Sequence, residues 1–161
     1  MKVLFSILSI LIFSFCFCQK NKCELKIEID TSATKNVGII KIVVRNIGSQ
    51  KTKILKNFDA YKAQLLNVSK YSKQENKYIP EHYGTADIDF FFPEKTETIK
   101  PNKTKIYQIN IFDTYQGNKF LNKSNNYHFD MYFDFVSLVG YRSKCETSGN
   151  YRISNLKYEP K

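Results

Sequence analysis

The sequence predicts an all-β protein, an antiparallel β-sandwich of about seven strands that follows a cleaved signal peptide. Apolar side chains recur at every second position in most segments after the leader, which is the period of a strand with one buried face. Glycine, asparagine, proline and serine bound these segments, and no long stretch has the period of a helix. Several short strands joined by turns are typical of two antiparallel sheets that pack face to face.

The first 18 residues have the layout of an export signal. Lys2 gives a positive start, residues 3–17 are mostly apolar, and polar side chains follow from Gln19. The apolar run is shorter than the roughly 20 residues that a membrane-spanning helix needs, so we expect no stable membrane span. We therefore divide the chain into a signal peptide at 1–18 and a single β-sandwich domain at 19–161, and we expect a secreted or periplasmic protein.

Cys16 and Cys18 lie at the end of this leader, where two kinds of processing compete. Both satisfy the preference for small side chains three and one residues before a cleavage at Gln19, and both would then be removed. The alternative is a lipid anchor on one of them. Lipoprotein processing prefers a small residue before the cysteine, but Phe15 and Phe17 stand there instead. Cleavage without lipidation is the favoured interpretation.

Two cysteines follow the leader, and they predict a structural disulfide between Cys23 and Cys145. An exported protein lives where thiols oxidise. The pair has neither the Cys-x-x-Cys spacing nor the neighbouring histidine of a metal or redox site. Two free buried thiols are the alternative, which a mass shift of two hydrogens on reduction would exclude.

The first half of the domain contains four predicted strands. Residues 23–30 alternate without a fault between apolar and charged side chains, and residues 40–45 also alternate. Asn, Gly and Ser at 46–50 predict a tight turn, so we expect a hairpin into residues 51–55. A further alternation at 61–66 predicts the fourth strand.

The middle of the chain is less regular. Residues 67–80 are mostly polar and predict a long loop, whereas residues 87–92 alternate again and predict a strand that ends at Pro93. A turn at 100–103 then precedes a predicted strand at 107–112.

The last third of the chain contains the strongest alternation. After a predicted loop around Gly117 and Asn118, residues 127–135 place large apolar side chains on one face and mostly polar side chains on the other. The final strand is predicted at Asn150–Leu156, and Cys145 falls in the preceding loop or just before this strand.

In layout, the chain resembles the immunoglobulin-like β-sandwiches that are common in small exported bacterial proteins. The predicted hairpin Gly38–Leu55 and the later pair Ile99–Ile111 and Tyr127–Phe135 carry the resemblance. The chain has no tryptophan, and Cys23 and Cys145 lie at its two ends rather than on the second and sixth strands, so the antibody-type core is absent. The resemblance implies the architecture alone and assigns no functional residue.

The formal net charge of +10 favours anionic partners or surfaces. The basic residues are nearly all lysines, scattered among acidic residues, and only Arg45, Arg142 and Arg152 are arginines. A protein that binds nucleic acid would instead show a concentrated stripe of basic residues with interleaved aromatic residues. We therefore expect a solvated basic surface or an anion-binding face, and no nucleic-acid partner.

Two groups of polar residues have the side chains of a metal site or an acid–base pair. His128, Asp130 and Asp134 share the predicted outer face of one strand, where two carboxylates and an imidazole could bind a divalent cation. A second group surrounds a predicted loop and comprises Glu81, His82, Asp87 and Asp89. The favoured interpretation of both groups is a solvated polar surface, so we assign no metal, cofactor or catalytic residue.

The sequence contains no Gly-x-Ser-x-Gly, His-Glu-x-x-His or P-loop motif, and we do not expect an enzyme. We expect surface recognition of a protein or an anionic glycan through the end loops and the connection Asn67–Pro93, for example by an inhibitor or immunity protein. A structural or accessory module of a cell-surface assembly is the alternative, and a metal-dependent hydrolase using His128 or His82 comes third. Aromatic side chains near the connection could contact a partner: Tyr61, Tyr71, Tyr78, Tyr83, Phe90, Phe91 and Phe92.

Overall fold

The structure, a computed structural model, describes residues 23–82, 95–135, 145–148 and 152–161. Within these residues the strands are β1 (Glu24–Asp30), β2 (Ile39–Asn46), β3 (Thr52–Leu55), β4 (Ala63–Ser72), β5 (Lys77–Pro80), β6 (Thr96–Ile99), β7 (Thr104–Asn110), β8 (Tyr127–Phe133), β9 (Glu146–Ser148) and β10 (Arg152–Tyr158). The helices are α1 (Thr34–Val37) and α2 (Tyr115–Phe120), and single 3-10 turns span Ala60–Lys62 and Ile111–Asp113.

The strands form two four-stranded sheets and one two-stranded sheet. The first sheet has the strand order β7-β2-β1-β9, the second has the order β10-β8-β4-β5, and β3 pairs with β6 in the third. All pairs are antiparallel except β1 and β9, which run parallel. The prediction of an all-β protein is therefore confirmed, while the predicted signal peptide at 1–18 and the predicted strand at 87–92 lie outside the described residues.

One hydrophobic core collects buried side chains from all three sheets. The inward positions predicted at 127–135 are all buried: Tyr127, Phe129, Met131, Phe133 and Phe135. Leu25 and Ile42 of the first sheet and Ile54 of the third sheet are fully buried in the same core. Because the apolar faces of separate sheets meet in one cluster, the burial of these side chains holds the sheets together.

The predicted hairpin from β2 into residues 51–55 is wrong. β2 pairs with β1 and β7, whereas β3 pairs with β6. The chain leaves the first sheet at the fully buried Asn46, whose Nδ2 donates to the carbonyl oxygens of Gln50 at 2.7 Å and Ile99 at 3.1 Å. Asn46 Oδ1 accepts from the backbone N–H of Gly48 at 3.0 Å. These bonds direct the chain away from β2 and toward β6.

Residues 67–80, predicted as a long loop, instead form most of the β4–β5 hairpin. Asn67 has a left-handed backbone with φ at 51°, and the register of β4 against β8 shifts between Leu66 and Ser69. This bulge changes which alternate side chains face inward, so Val68 returns to the core. A polar segment with a bulge has no continuous two-residue period, and for this reason the pattern predicted a loop.

The loop predicted around Gly117 and Asn118 is helix α2. Thr114 caps this helix, because its Oγ1 accepts from the backbone N–H of Gly117 at 3.0 Å. The Thr114 hydroxyl also donates to the carbonyl oxygen of Ile111 at 2.7 Å, which ties α2 to the preceding 3-10 turn. The helix has six residues, too few for its period to stand out in the sequence.

The predicted disulfide between Cys23 and Cys145 is confirmed, with Cα atoms 4.7 Å apart. It joins the residue before β1 to the residue before β9, and these two strands pair directly after it. The final strand, predicted at Asn150–Leu156, is β10 and continues to Tyr158. Neither helix in the described part of the chain is long and apolar enough to cross a membrane.

Candidate functional site

The outward side chains of the second sheet form the candidate site. His128, Asp130 and Tyr132 on β8 alternate with buried residues, as the sequence predicts. β4 and β10 lie on the two sides of β8, so that Ser69 and Lys157 are the direct neighbours of His128. We call the outward side chains of β4, β5, β8 and β10 the outer face.

Asp130 on the outer face accepts three hydrogen bonds. Its Oδ2 accepts from Arg152 Nη2 at 2.8 Å and from Asn67 Nδ2 at 2.8 Å. Its Oδ1 accepts from the backbone N–H of Asn155 at 3.0 Å. Asn67 and Asn155 both have left-handed backbones, at φ 51° and 61°, and each lies where its strand shifts register against β8. One carboxylate therefore holds the bulges of both neighbouring strands.

The same donors keep Asp130 ionised. Burial by itself raises the pKa of Asp130, but hydrogen bonds from Arg152, the Asn155 N–H and Asn67 outweigh it, and the pKa of this carboxyl falls below its ordinary value. A carboxyl whose pKa is lowered by folding stabilises the protein above its unfolded pKa. That stabilisation is lost as the pH falls through the folded pKa.

The substitution Asp130→Asn is expected to lower the free energy of unfolding by about 1 to 2 kcal/mol at neutral pH, because three donors lose their charged acceptor. The difference between parent and variant should shrink as the pH falls below about 4, where the parent carboxyl also takes up a proton. Urea unfolding at neutral and acidic pH measures both effects, with Asp113→Asn at an exposed position as the control. An equal loss at both pH values would contradict a role for the charge.

His128 is covered by an aromatic ring. Its imidazole stacks on the ring of Tyr78 with centroids 3.6 Å apart and planes inclined by 17°, and Tyr78 meets Tyr71 edge to face at 5.3 Å. The Nε2 atom of His128 is buried and has no hydrogen-bond partner among the described residues. Burial lowers the pKa of His128, and Lys157 lowers it further against a smaller opposite effect of Glu159, so the neutral imidazole is favoured.

An open hollow of about 490 Å³ lies against His128, one of the three rings of this aromatic stack. Its lining comes from three strands and includes Asn67, Ser69, His128, Asn155 and Lys157. Hydrogen-bonding side chains and a lysine thus lie beside His128 in this lining. Such a mixture of ring surface and polar groups can bind a partner by both apolar contact and hydrogen bonds.

A larger cavity of about 690 Å³ shares Asn67 and Ser69 with this hollow. Leu65, Val68 and Gln116 are its buried lining residues, and Gln116 comes from α2. Sequence reasoning did not single out Gln116, because a polar residue in a predicted loop carries no sign of burial. The helix cap at Thr114 is the one local signal that could have found the helix.

The structure places the other predicted residues apart from one another. Asp134 lies two residues after the exposed Tyr132, past the end of β8. Its backbone N–H donates to the carbonyl oxygen of Lys62 at 2.9 Å. Glu81 and His82 line the larger cavity, whereas Asp87 and Asp89 of the same predicted group lie outside the described residues. Among the residues that the structure describes, no three His, Cys, Asp or Glu side chains are grouped so that they could hold a metal ion.

Comparisons with known proteins give no family for this chain. No protein-family model, no curated protein and no solved structure matches it. The geometry of the outer face is therefore the basis for a functional proposal.

Proposed function

We propose that this protein is an exported, non-enzymatic binding protein that recognises a protein or glycan partner through the outer face. In this proposal the signal peptide at 1–18 is removed, and residues 19–161 form an immunoglobulin-like β-sandwich that is secreted or periplasmic. The disulfide between Cys23 and Cys145 supports an oxidising compartment. The two four-stranded sheets share one core, which supports the sandwich architecture.

The aromatic stack beside the hollow is the observation that carries this proposal. Tyr71, Tyr78 and His128 are half-buried and lie in ring-to-ring contact on the outer face. Rings that already hold one another lose little freedom on binding, and aromatic residues are enriched at the centres of binding surfaces. Lys157 beside the stack adds a positive charge that can meet an anionic or hydrogen-bonding group of the partner.

A binding role suits the outer face better than hydrolysis. Both oxygen atoms of Asp130 already accept hydrogen bonds, so this carboxylate is poorly placed to bind a metal or to take a proton from a substrate. Tyr78 covers the ring of His128, and the Nε2 atom of that ring is buried. Recognition of a partner requires neither group to change its protonation state.

The substitution Tyr78→Ala is expected to weaken partner binding at least about tenfold, because alanine removes the central ring of the stack. Cross-linking capture from the native cell envelope identifies the partner, and titration of the purified partner then measures the affinity of each variant. Tyr61→Ala is the matched control, since Tyr61 is exposed and lies outside the stack. Lys157→Glu is a second test at an exposed position, where the packing of the stack is left intact.

Unchanged affinity in both Tyr78→Ala and Lys157→Glu would overturn the proposal. A single enzyme bound stoichiometrically would identify an inhibitor or immunity protein. Several structural proteins of the cell surface, bound without dependence on the stack, would favour the alternative of an accessory module in a surface assembly.

A further inference from the structure

The edge strand β7 of the first sheet is long and regular. It has seven residues and pairs with β2 from Thr104 to Asn110 without a shift in register. On its other side, no strand of the described residues lies next to it. Natural proteins usually protect such edges, because their unpaired N–H and C=O groups can bond to another strand.

The other edge strands of the two four-stranded sheets carry protection that β7 lacks. β9 has three residues, β5 has four residues and ends at a proline, and a bulge interrupts β10. The one charged side chain of β7 is Lys105, and its Nζ atom forms an ion pair with Glu97 Oε1 at 2.7 Å. A lysine held by an ion pair is a weaker barrier to a second strand than a lysine with a free charge.

The hydrogen bonds at the two ends of β7 show which of its backbone groups face outward. The N–H of Asn46 donates to the carbonyl oxygen of Lys103 at 3.0 Å, and the N–H of Ile111 donates to that of Gly38 at 2.9 Å. In an antiparallel pair, residues bonded to the neighbouring strand alternate with residues whose backbone groups point away from it. The N–H and C=O groups of Ile106 and of the other even-numbered residues of β7 therefore point away from β2.

The side chain at the centre of this edge is apolar and exposed. Ile106 is 55% exposed, and its cross-strand neighbour Val43 on β2 is half-buried. Both lie on the solvent side of the first sheet, because the alternate residues Tyr107 and Ile109 are buried. An apolar pair at an open edge is extended when an added strand places a further apolar residue beside it.

A second copy of β7 fits this edge in one antiparallel register. When Ile106 faces Ile106 of the second copy, Lys105 faces Tyr107 across the pair, and a lysine over a tyrosine ring is attractive. Within one chain, Lys105 Nζ already lies 5.5 Å from the centroid of the Tyr107 ring. Thr104 then faces Gln108, so no two like charges are opposed. A shift of one position toward Lys105 would instead set the two Lys105 side chains against each other.

We infer that two copies of this protein associate through β7, with the two strands antiparallel and centred on Ile106. Each copy contributes the same strand, so the contact closes at a dimer and continues the first sheet from one copy into the other. The inference goes beyond the proposed function, because the dimer carries two outer faces and can bind a repeated partner with higher avidity.

The positive charge of the chain opposes this association and makes it weak. Copies with a formal net charge of +10 repel each other, and two seven-residue strands bury less surface than a standard interface. Lys56 lines an open hollow of about 310 Å³ beside residues 105–108, and its exposed side chain can stay in solvent. We expect a Kd of about 10 to 100 µM at an ionic strength of about 0.5 M, where the repulsion is screened.

Analytical ultracentrifugation of the purified protein between about 5 µM and 1 mM tests the inference, and the parent should pass from monomer to dimer over this range. Ile106→Lys should weaken dimerisation at least about tenfold, because it sets two like charges at the centre of the pair. Val37→Lys is the matched control, since it adds the same charge at a side chain that is 56% exposed and lies outside β7. The control variant should dimerise like the parent.

Amide hydrogen exchange of the parent, followed by NMR, locates the contact without any substitution. In dilute protein the N–H of Tyr107, which faces β2, should exchange slowly, whereas the N–H groups of Ile106 and Gln108 should exchange fast. In concentrated protein the exchange of Ile106 and Gln108 should slow at least about threefold, because the second copy accepts their hydrogen bonds.

Three results would overturn the inference. A parent that stays monomeric at about 1 mM would leave this edge to a strand of a different protein. Equal dimerisation of the Ile106→Lys and Val37→Lys variants would show that Ile106 is not at the contact. A dimer in which the exchange of Ile106 and Gln108 is unchanged would place the contact on another surface. None of these results affects the proposed function, which the Tyr78→Ala variant of the other sheet tests.

Discussion

The double variant Cys23→Ala/Cys145→Ala is expected to lose about 4 to 5 kcal/mol of its free energy of unfolding. The two cysteines are 122 residues apart in the chain, so the disulfide removes much of the conformational freedom of the unfolded protein. It also holds β9 at the edge of the first sheet, where this strand has only three positions paired with β1. A pairing this short is weak by itself, and β9 should detach when the disulfide is absent.

Urea unfolding of the oxidised parent, the reduced parent and the double variant measures this effect. The reduced parent should unfold at the same urea concentration as the double variant, and reductant should leave the double variant unchanged. A double variant as stable as the oxidised parent would show that the disulfide contributes nothing to stability.

The substitution Gly117→Ala is expected to cost about 3 kcal/mol, at the upper end of the range for overpacked sites, and to displace Gln116. A Cβ atom at this position would lie 1.8 Å from the carbonyl oxygen of Ile111 and 2.7 Å from Thr114 Oγ1. The first of these atoms belongs to the backbone, so rotation of a side chain cannot relieve the contact. The backbone of α2 must move away from the 3-10 turn, and the adjacent Gln116 moves with it.

Thermal unfolding of Gly117→Ala and Asn118→Ala compares two neighbouring positions of the same helix. Asn118 is exposed, and alanine has a higher helix propensity than asparagine, so Asn118→Ala should be neutral or slightly stabilising. A Gly117→Ala protein with the stability of the parent would contradict the close packing of α2 on the 3-10 turn.

Strands with an unbroken alternation were predictable from the sequence alone. The patterns at 23–30 and 127–135 predicted β1 and β8 and the buried side of each, because a strand turns alternate side chains to opposite faces whatever its neighbours are. The disulfide was predictable for a different reason, since only Cys23 and Cys145 follow the predicted leader. The outward position of His128 and Asp130 followed from the same alternation.

Strand pairing was not predictable, because it depends on which strands meet in space. The turn residues at 46–50 are equally compatible with a hairpin and with a crossing between sheets. The structure contains the crossing between sheets, which is stabilised by the buried Asn46 and its hydrogen bond to the distant Ile99. The left-handed Asn67 likewise breaks an alternation whose continuation becomes visible only when β4 is aligned with β8.

The sequence alone therefore predicted the strands with a regular period, the disulfide between Cys23 and Cys145 and the outward residues of β8. The tertiary structure decided everything that depends on distant neighbours: the stacking of Tyr78 on His128, the two bulges held by Asp130, and the burial of Gln116. The physical reason is that alternation is a property of a single extended backbone. Register, bulges and buried polar groups instead depend on the free energy of the whole packed chain, to which residues far apart in sequence contribute together.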